Sequence, residues 1–202
     1  IVRNIPLKWL YRWVLGGAVV LGACRIVATS EQERRELVED GVPPDQVVVR
    51  RNGIETPEHF PVTGTFRRQW HIPEGAKLIL FLGRIVTKKS PELLLEAFAQ
   101  WQSGESRGSL GTPAMLVLAG PPETRGYQEE LKALAVRLGM DRQVLFTGPL
   151  YDDAKWSAYC DADLFVLPSQ NENFGNTAAE AVICGTPVVV TEQCGIAPLV
   201  EG

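Results

Sequence analysis

Two glutamates stand eight positions apart in Glu172-Asn173-Phe174-Gly175-Asn176-Thr177-Ala178-Ala179-Glu180, and two cations mark a second loop, Arg84 and Lys89 in Gly83-Arg84-Ile85-Val86-Thr87-Lys88-Lys89. The glutamates lie between an apolar strand-like run and a helix that stops at Gly185. The cations lie directly after the apolar run 78–82 and before a helical stretch 91–101. Arginine offers a planar two-pronged clamp and lysine a movable point charge. Two such cations at the mouth of a helix make a diphosphate site.

The elements that must position these residues follow from the flanking sequence. Asp163-Leu164-Phe165-Val166-Leu167-Pro168 is short, apolar and closed by proline, as a buried parallel strand reads. Glu172 then falls in a strand-to-helix loop. The alanines favour a helix from Asn176 to Cys184, Gly185 stops it, and Thr186-Pro187-Val188 begins the next strand. Glu180 is thereby placed about one turn inside the helix, facing the crevice beyond the carboxyl ends of the strands, where open α/β sheets bind ligands. Backbone amides around Phe174, Gly175 and Asn176 would add donors to the same phosphates, with Gly175 allowing close approach. Strands at 78–82, 115–119, 144–147, 164–167 and 187–191 alternate with helices near 91–101, 127–138, 154–160 and 176–184. The pattern predicts an α/β fold with a doubly wound, Rossmann-like parallel sheet.

The order of small, apolar and acidic residues from Glu172 to Glu180 resembles the E-x7-E signature of GT4-type retaining glycosyltransferases of the GT-B fold. Phe81 to Lys89 is similar to their basic donor loop, Cys184-Gly185-Thr186-Pro187-Val188-Val189 to their helix exit, and Arg50-Arg51-Asn52-Gly53-Ile54 to their passage between domains. Together the motifs are highly specific and cover nearly all of the chain. The resemblance implies a C-terminal donor-binding domain with a remnant of the N-terminal domain. It places Glu172 near the hydroxyls of the transferred sugar and Glu180 on the nucleotide ribose, with Arg84 and Lys89 on the diphosphate. Asn173, Phe174, Gly175, Asn176 and Thr177 complete the donor loop. Related enzymes hold the base at the loops Gly120-Pro121-Pro122 and Gly148-Pro149-Leu150, so backbone contacts are expected at Gly120 and Leu150. Ser90 stands where many members carry glycine, and the family's spacing selects Lys89 over Lys88.

Cleavage of the anomeric bond to a nucleotide diphosphate builds negative charge on the leaving group, which positioned cations stabilise. No metal and no cofactor is therefore expected. Asp161-Ala162-Asp163 spells the D-x-D of metal-dependent transferases, but it follows a predicted amphipathic helix, 154–160, and leads straight into a strand. Its aspartates are read as ending one element and beginning the next, and no other acidic cluster is evident to complete a hard-cation site.

Composition agrees with this picture and narrows it. The chain has 202 residues, 45% hydrophobic and 22% charged, with a net charge of -4, which gives no reason to expect nucleic acid. Its four cysteines, Cys24, Cys160, Cys184 and Cys194, show no C-x2-C spacing, and scattered thiols fit a reducing cytosol. Cys160 and Cys184 lie on apolar helical stretches and read as structural thiols. No G-x-G-x-x-G follows a predicted strand and no Walker A sequence occurs, which argues against dinucleotide and P-loop enzymes.

Residues 1–60 are assigned to the end of an acceptor-side domain and a linker, and 61–202 to the nucleotide-sugar-binding domain. Trp13 to Cys24 is apolar but too short and glycine-interrupted to span a membrane. Lys8, Trp9, Tyr11, Arg12 and Trp13 suit either packing within their own domain or peripheral contact with anionic lipid. Ser30 with Glu33 predicts a capping box for a helix over 31–40, ended by Gly41. The expected activity is transfer of a hexose from a UDP- or GDP-sugar to an acceptor sugar or lipid, in a cytoplasmic protein. Residues 1–202 alone are expected to hold donor but to transfer poorly, because the acceptor side is reduced. The competing readings are a non-catalytic nucleotide-sugar-binding module and a sugar-nucleotide epimerase of the same architecture.

Overall fold

The computed structural model describes residues 22–104 and 113–201. It divides into two compact units, Ile1–Asn52 and Gly53–Gly202. Gly53 to Pro57 belong with the second unit, where they line a hollow beside Asp152, Lys155 and Trp156. The basic and aromatic segment 8–13, and most of the apolar run that follows it, lie outside the described residues. Among the described residues, no helix is long and apolar enough to cross a membrane.

In the first unit, β1 (Ile26–Ala28) and β2 (Val47–Val49) pair in parallel, with α1 (Glu31–Glu39) between them in the chain. Ser30 Oγ accepts the Glu33 amide at 3.1 Å, as the capping box requires. The Glu33 carboxylate reaches one residue further back than the standard box, taking the Thr29 amide at 2.6 Å and hydroxyl at 2.7 Å. Gly41, at φ 97°, follows the Asp40 cap and turns the chain out of the helix.

The second unit is built on a five-stranded parallel sheet in the order β5-β4-β3-β6-β7. Its strands are β3 (Lys77–Leu82), β4 (Ala114–Ala119), β5 (Val144–Gly148), β6 (Leu164–Leu167) and β7 (Val188–Val190). Leu116, Val117, Leu118 and Ala119 are all wholly buried, so β4 is covered on both faces. That is why it reads as a continuous apolar run rather than an alternating one. The expected strand over 187–191 is shorter because Pro187 has no amide; its carbonyl still accepts the Phe165 amide at 2.9 Å.

The helices of this unit are α2 (Thr65–Gln69), α3 (Pro91–Ser103), α4 (Arg125–Arg137), α5 (Asp152–Asp161), α6 (Asn176–Ile183) and α7 (Ala197–Val200). Thr124 Oγ1 caps α4 by accepting the Tyr127 amide at 3.1 Å, which starts that helix earlier than its apolar pattern suggests. α5 is not amphipathic as expected: Trp156, Ser157, Ala158 and Tyr159 are buried in succession, because it packs against α2, α6 and β3 at once.

Both aspartates of the D-x-D triplet act as ties between elements. Asp161, 5% exposed, accepts the amides of Gly64 and Arg67 and so caps the first turn of α2, a helix far away in the chain. Asp163 accepts from Arg67 Nη2 at 2.7 Å, Lys77 Nζ at 2.8 Å and the Leu78 amide at 2.8 Å. Burial by itself would raise the Asp163 carboxyl. The hydrogen bonds from Lys77 and Leu78 and the charges of Lys77 and Arg67 outweigh it and hold the group below its usual range.

Since the folded value lies below the unfolded one, the Asp163 contribution is complete above about pH 4 and is lost as pH falls through the folded value. Asp163→Asn should lower the unfolding free energy at pH 7 by about 1–3 kcal/mol in urea denaturation, with the gap to wild type closing below about pH 4. Gly120→Ala should cost at least about 2 kcal/mol in the same assay. Its Cβ would stand 1.8 Å from the Gly83 carbonyl oxygen, at a φ of 140° that side chains avoid.

Candidate functional site

Strand order reverses between β3 and β6, so the connections leaving their carboxyl ends diverge and open a crevice. The β3 connection carries Arg84 and Lys89; the β6 connection carries Glu172. Both cations and the first glutamate of the sequence pattern are therefore delivered to one edge of the sheet.

The β3 connection is held by its backbone. Gly83 N donates to Ala119 O at 2.9 Å, Ile85 N to Pro121 O at 2.9 Å, and Glu123 N to Ile85 O at 2.9 Å. Arg84 sits between these bonds with a fixed main chain and an exposed side chain that pairs with no described residue. Lys89 ends a short 3-10 turn, Thr87–Lys89, and folds back over Gly83, where an added Cβ would come within 3.2 Å of its Nζ. Ser90 next adopts the left-handed conformation, φ 49° and ψ 49°, which glycine reaches without strain. The backbone thus explains why glycine is favoured at this position.

The β6 connection is stitched to the β3 connection and to the segment after β7. Gln170 N donates to Lys88 O at 2.9 Å, and Gln170 Nε2 to Ser90 Oγ at 3.2 Å. Glu172 forms a lone parallel bridge with Cys194, its amide donating to Gln193 O and its carbonyl accepting from Gly195 N, each at 2.9 Å. With the backbone set from both sides, Glu172 Oε2 lies 3.1 Å from Lys89 Nζ. Both side chains are largely buried, at 14% exposure for Lys89 and 26% for Glu172.

Gly175, at φ 100°, turns the chain into α6, and a Cβ there would meet Ile196 at 3.1 Å. Phe174 is buried in the core, so it anchors the loop and can offer a ligand only its backbone. Asn173 and Asn176 are exposed beside it and Thr177 is half-buried.

Glu180 lies in a different neighbourhood from the Lys89–Glu172 pair. Its Oε1 is 2.8 Å from Lys155 Nζ, and its Oε2 accepts from the Tyr159 hydroxyl at 2.8 Å. Together with Asn176 and Gly53 to Pro57 it lines an open hollow of about 560 Å³. Tyr159 is wholly buried, and burial followed by the neighbouring Glu180 charge pushes its hydroxyl far above the usual range, so it remains a donor. Sequence reasoning missed Lys155 and Tyr159. Their i, i+4 spacing on one helix face was the available signal.

Gly120 and Leu150 bear on the site differently. The Gly120 amide is donated to Gly148 O at 2.8 Å, and the position is shaped by contact with Gly83. Leu150 is half-buried against the core at the end of the β5 connection. Among the cysteines, Cys184 is pushed up to about 12 by burial and by the neighbouring Cys160 thiol, and burial also raises Cys194. Neither is a ready nucleophile.

The model of the family described as "Glycosyl transferases group 1" matches residues 62–201. A D-inositol 3-phosphate glycosyltransferase of Acidothermus cellulolyticus is 34% identical over 194 residues, covering 94% of this chain and 43% of that protein. One from Thermomonospora curvata is 37% identical over 188 residues, covering 88% and 43%. The chain thus spans less than half the length of the curated relatives it matches. Among solved structures, Anabaena Alr3699/HepE in complex with UDP and glucose aligns with a TM-score of 0.80 at 22% identity, over 96% of this chain and 51% of that one. WaaG, a glycosyltransferase involved in lipopolysaccharide biosynthesis, aligns with a TM-score of 0.74 at 22% identity, over 95% and 53%. The sheet order and these alignments identify the second unit as the Rossmann-like domain of the GT-B fold, and the match across 62–201 makes the chain a member of the group 1 glycosyl transferases.

Proposed function

We propose that this chain is the donor-binding half of a retaining glycosyltransferase that takes a hexose from a UDP- or GDP-sugar, with Arg84 and Lys89 stabilising the diphosphate in place of a metal. The observation that carries the reading is the 3.1 Å contact between Lys89 Nζ and Glu172 Oε2 at the point where strand order reverses. Because the pair is largely buried, a charge left without a partner there is costly, and a diphosphate that replaces Glu172 beside Lys89 keeps the lysine compensated. Once Lys89 turns to the phosphate, Glu172 is released to accept hydroxyls of the sugar. Arg84, with a fixed backbone and a free side chain, supplies the second cation.

Further support comes from the UDP and UDP-glucose complexes of the Anabaena protein, whose fold this chain shares. Metal independence is favoured by the engagement of Asp161 and Asp163 with Gly64, Arg67, Lys77 and Leu78. Retention is read from the Glu172/Glu180 pattern. The relatives named as D-inositol 3-phosphate glycosyltransferases make a phosphorylated polyol the first acceptor to try.

Glu172→Gln in the whole protein should reduce transfer from the preferred nucleotide sugar by about 10²-fold or more, in line with the loss of one preorganised electrostatic contact. Donor affinity, measured by calorimetry, should stay within a few-fold. A non-catalytic binding module would show no turnover to lose. Lys89→Met should weaken binding of the nucleoside diphosphate about tenfold or more, as expected for a lost charge-assisted contact. An unchanged affinity would remove Lys89 from the diphosphate site.

A further inference from the structure

Among the groups that line the hollow at Glu180, the carboxylates of Glu55, Asp152, Asp153 and Glu180 outnumber the one cation, Lys155. Such a surface repels phosphate and suits neutral hydroxyl donors. Charge therefore divides the site: the diphosphate belongs at Arg84 and Lys89, and a polyol belongs here.

Glu180 is held unusually firmly for a residue on the rim of a hollow. Lys155 binds one carboxylate oxygen and Tyr159 the other, both at 2.8 Å. Each partner is itself fixed. Lys155 Nζ lies 4.6 Å from the centroid of the Trp156 ring. The Tyr159 ring is packed between Trp156 and Phe165, with centroids 6.0 and 5.7 Å away, and its carbonyl accepts the Thr186 hydroxyl at 2.6 Å. An ionised carboxylate offers about four acceptor directions. One on each oxygen is occupied, which leaves one on each for two adjacent hydroxyls.

We propose that Lys155 and Tyr159 are positioning residues that lock the Glu180 carboxylate in the single orientation that accepts the vicinal diol of the donor's ribose, and so set the preference for ribonucleotide over 2′-deoxyribonucleotide donors. The inference rests on the donor-site reading above and adds to it the residues that confer sugar selectivity on the nucleotide. Neither residue touches the transferred hexose. Their effect is confined to the nucleotide end.

The test is calorimetric titration of the whole protein with UDP, 2′-deoxy-UDP, GDP and 2′-deoxy-GDP. The wild type should favour the ribo form of its preferred nucleotide by about tenfold or more, the expected effect of a hydrogen bond to a charged group. Lys155→Met keeps the chain length over Trp156 and removes the charge; Tyr159→Phe removes only the hydroxyl. Each should shrink the preference to about threefold or less while affinity for the deoxy form changes less than about twofold, and Lys155→Arg should restore part of it. A merely structural role would weaken both forms equally and leave the ratio intact. A ratio preserved in both variants, or absent from the wild type, overturns this inference and leaves the donor site standing. If no nucleotide binds the wild type, the donor-site reading fails and takes this one with it.

Discussion

The reversal of strand order between β3 and β6 is the constraint on which the rest depends. Two neighbouring parallel strands send their chains in opposite directions, so no connection covers the gap between their carboxyl ends. Any charged residue placed just beyond Leu82 or Leu167 is thereby exposed to a common space without belonging to a common loop. Burial then makes those placements rigid. Leu80, Phe81, Leu82, Phe165 and Leu167 are buried beneath, and the connections are tied by backbone hydrogen bonds at Ile85, Gln170 and Glu172, with the Gln170 side chain adding a bond to Ser90.

That division of labour accounts for the chemistry the site can perform. Backbone bonds fix where Arg84, Lys89 and Glu172 start, and their side chains are left to respond to a ligand. In the Lys89–Glu172 contact each charge is neutralised by the other, and in the proposed function a diphosphate takes the place of Glu172 as the partner of Lys89. Glu180 is treated in the opposite way. It is pinned at both oxygens by α5, which suits a group that must recognise a shape rather than follow a charge.

Much of this was legible in the sequence, and what was not has a physical cause. The β6 run was readable because proline closes it and apolar residues fill it, and α6 because alanines lead to a glycine stop. The ties made by Asp161 and Asp163 were foreseen only as ends of elements. Their partners Gly64, Arg67 and Lys77 are nearly a hundred positions away in the chain, at separations of 97, 94 and 86 residues. The i, i+4 spacing puts Lys155 and Tyr159 on one face of α5, but it does not say that this face meets Glu180, 25 and 21 positions on. α5 was misjudged as amphipathic because its burial comes from three neighbours at once, which periodicity cannot express. Ser90 looked like a departure from pattern until its left-handed backbone showed what the position requires.

The most direct measurement of the central claim is a titration of the isotope-labelled protein with a nucleoside diphosphate, followed amide by amide by nuclear magnetic resonance. The account predicts that perturbed amides gather at Gly83 to Lys89, at Glu172 to Thr177, and around Lys155 and Glu180, at the carboxyl edge of the sheet. Perturbations centred instead on Arg67 to Lys77, beside the opposite ends of the strands, would contradict it.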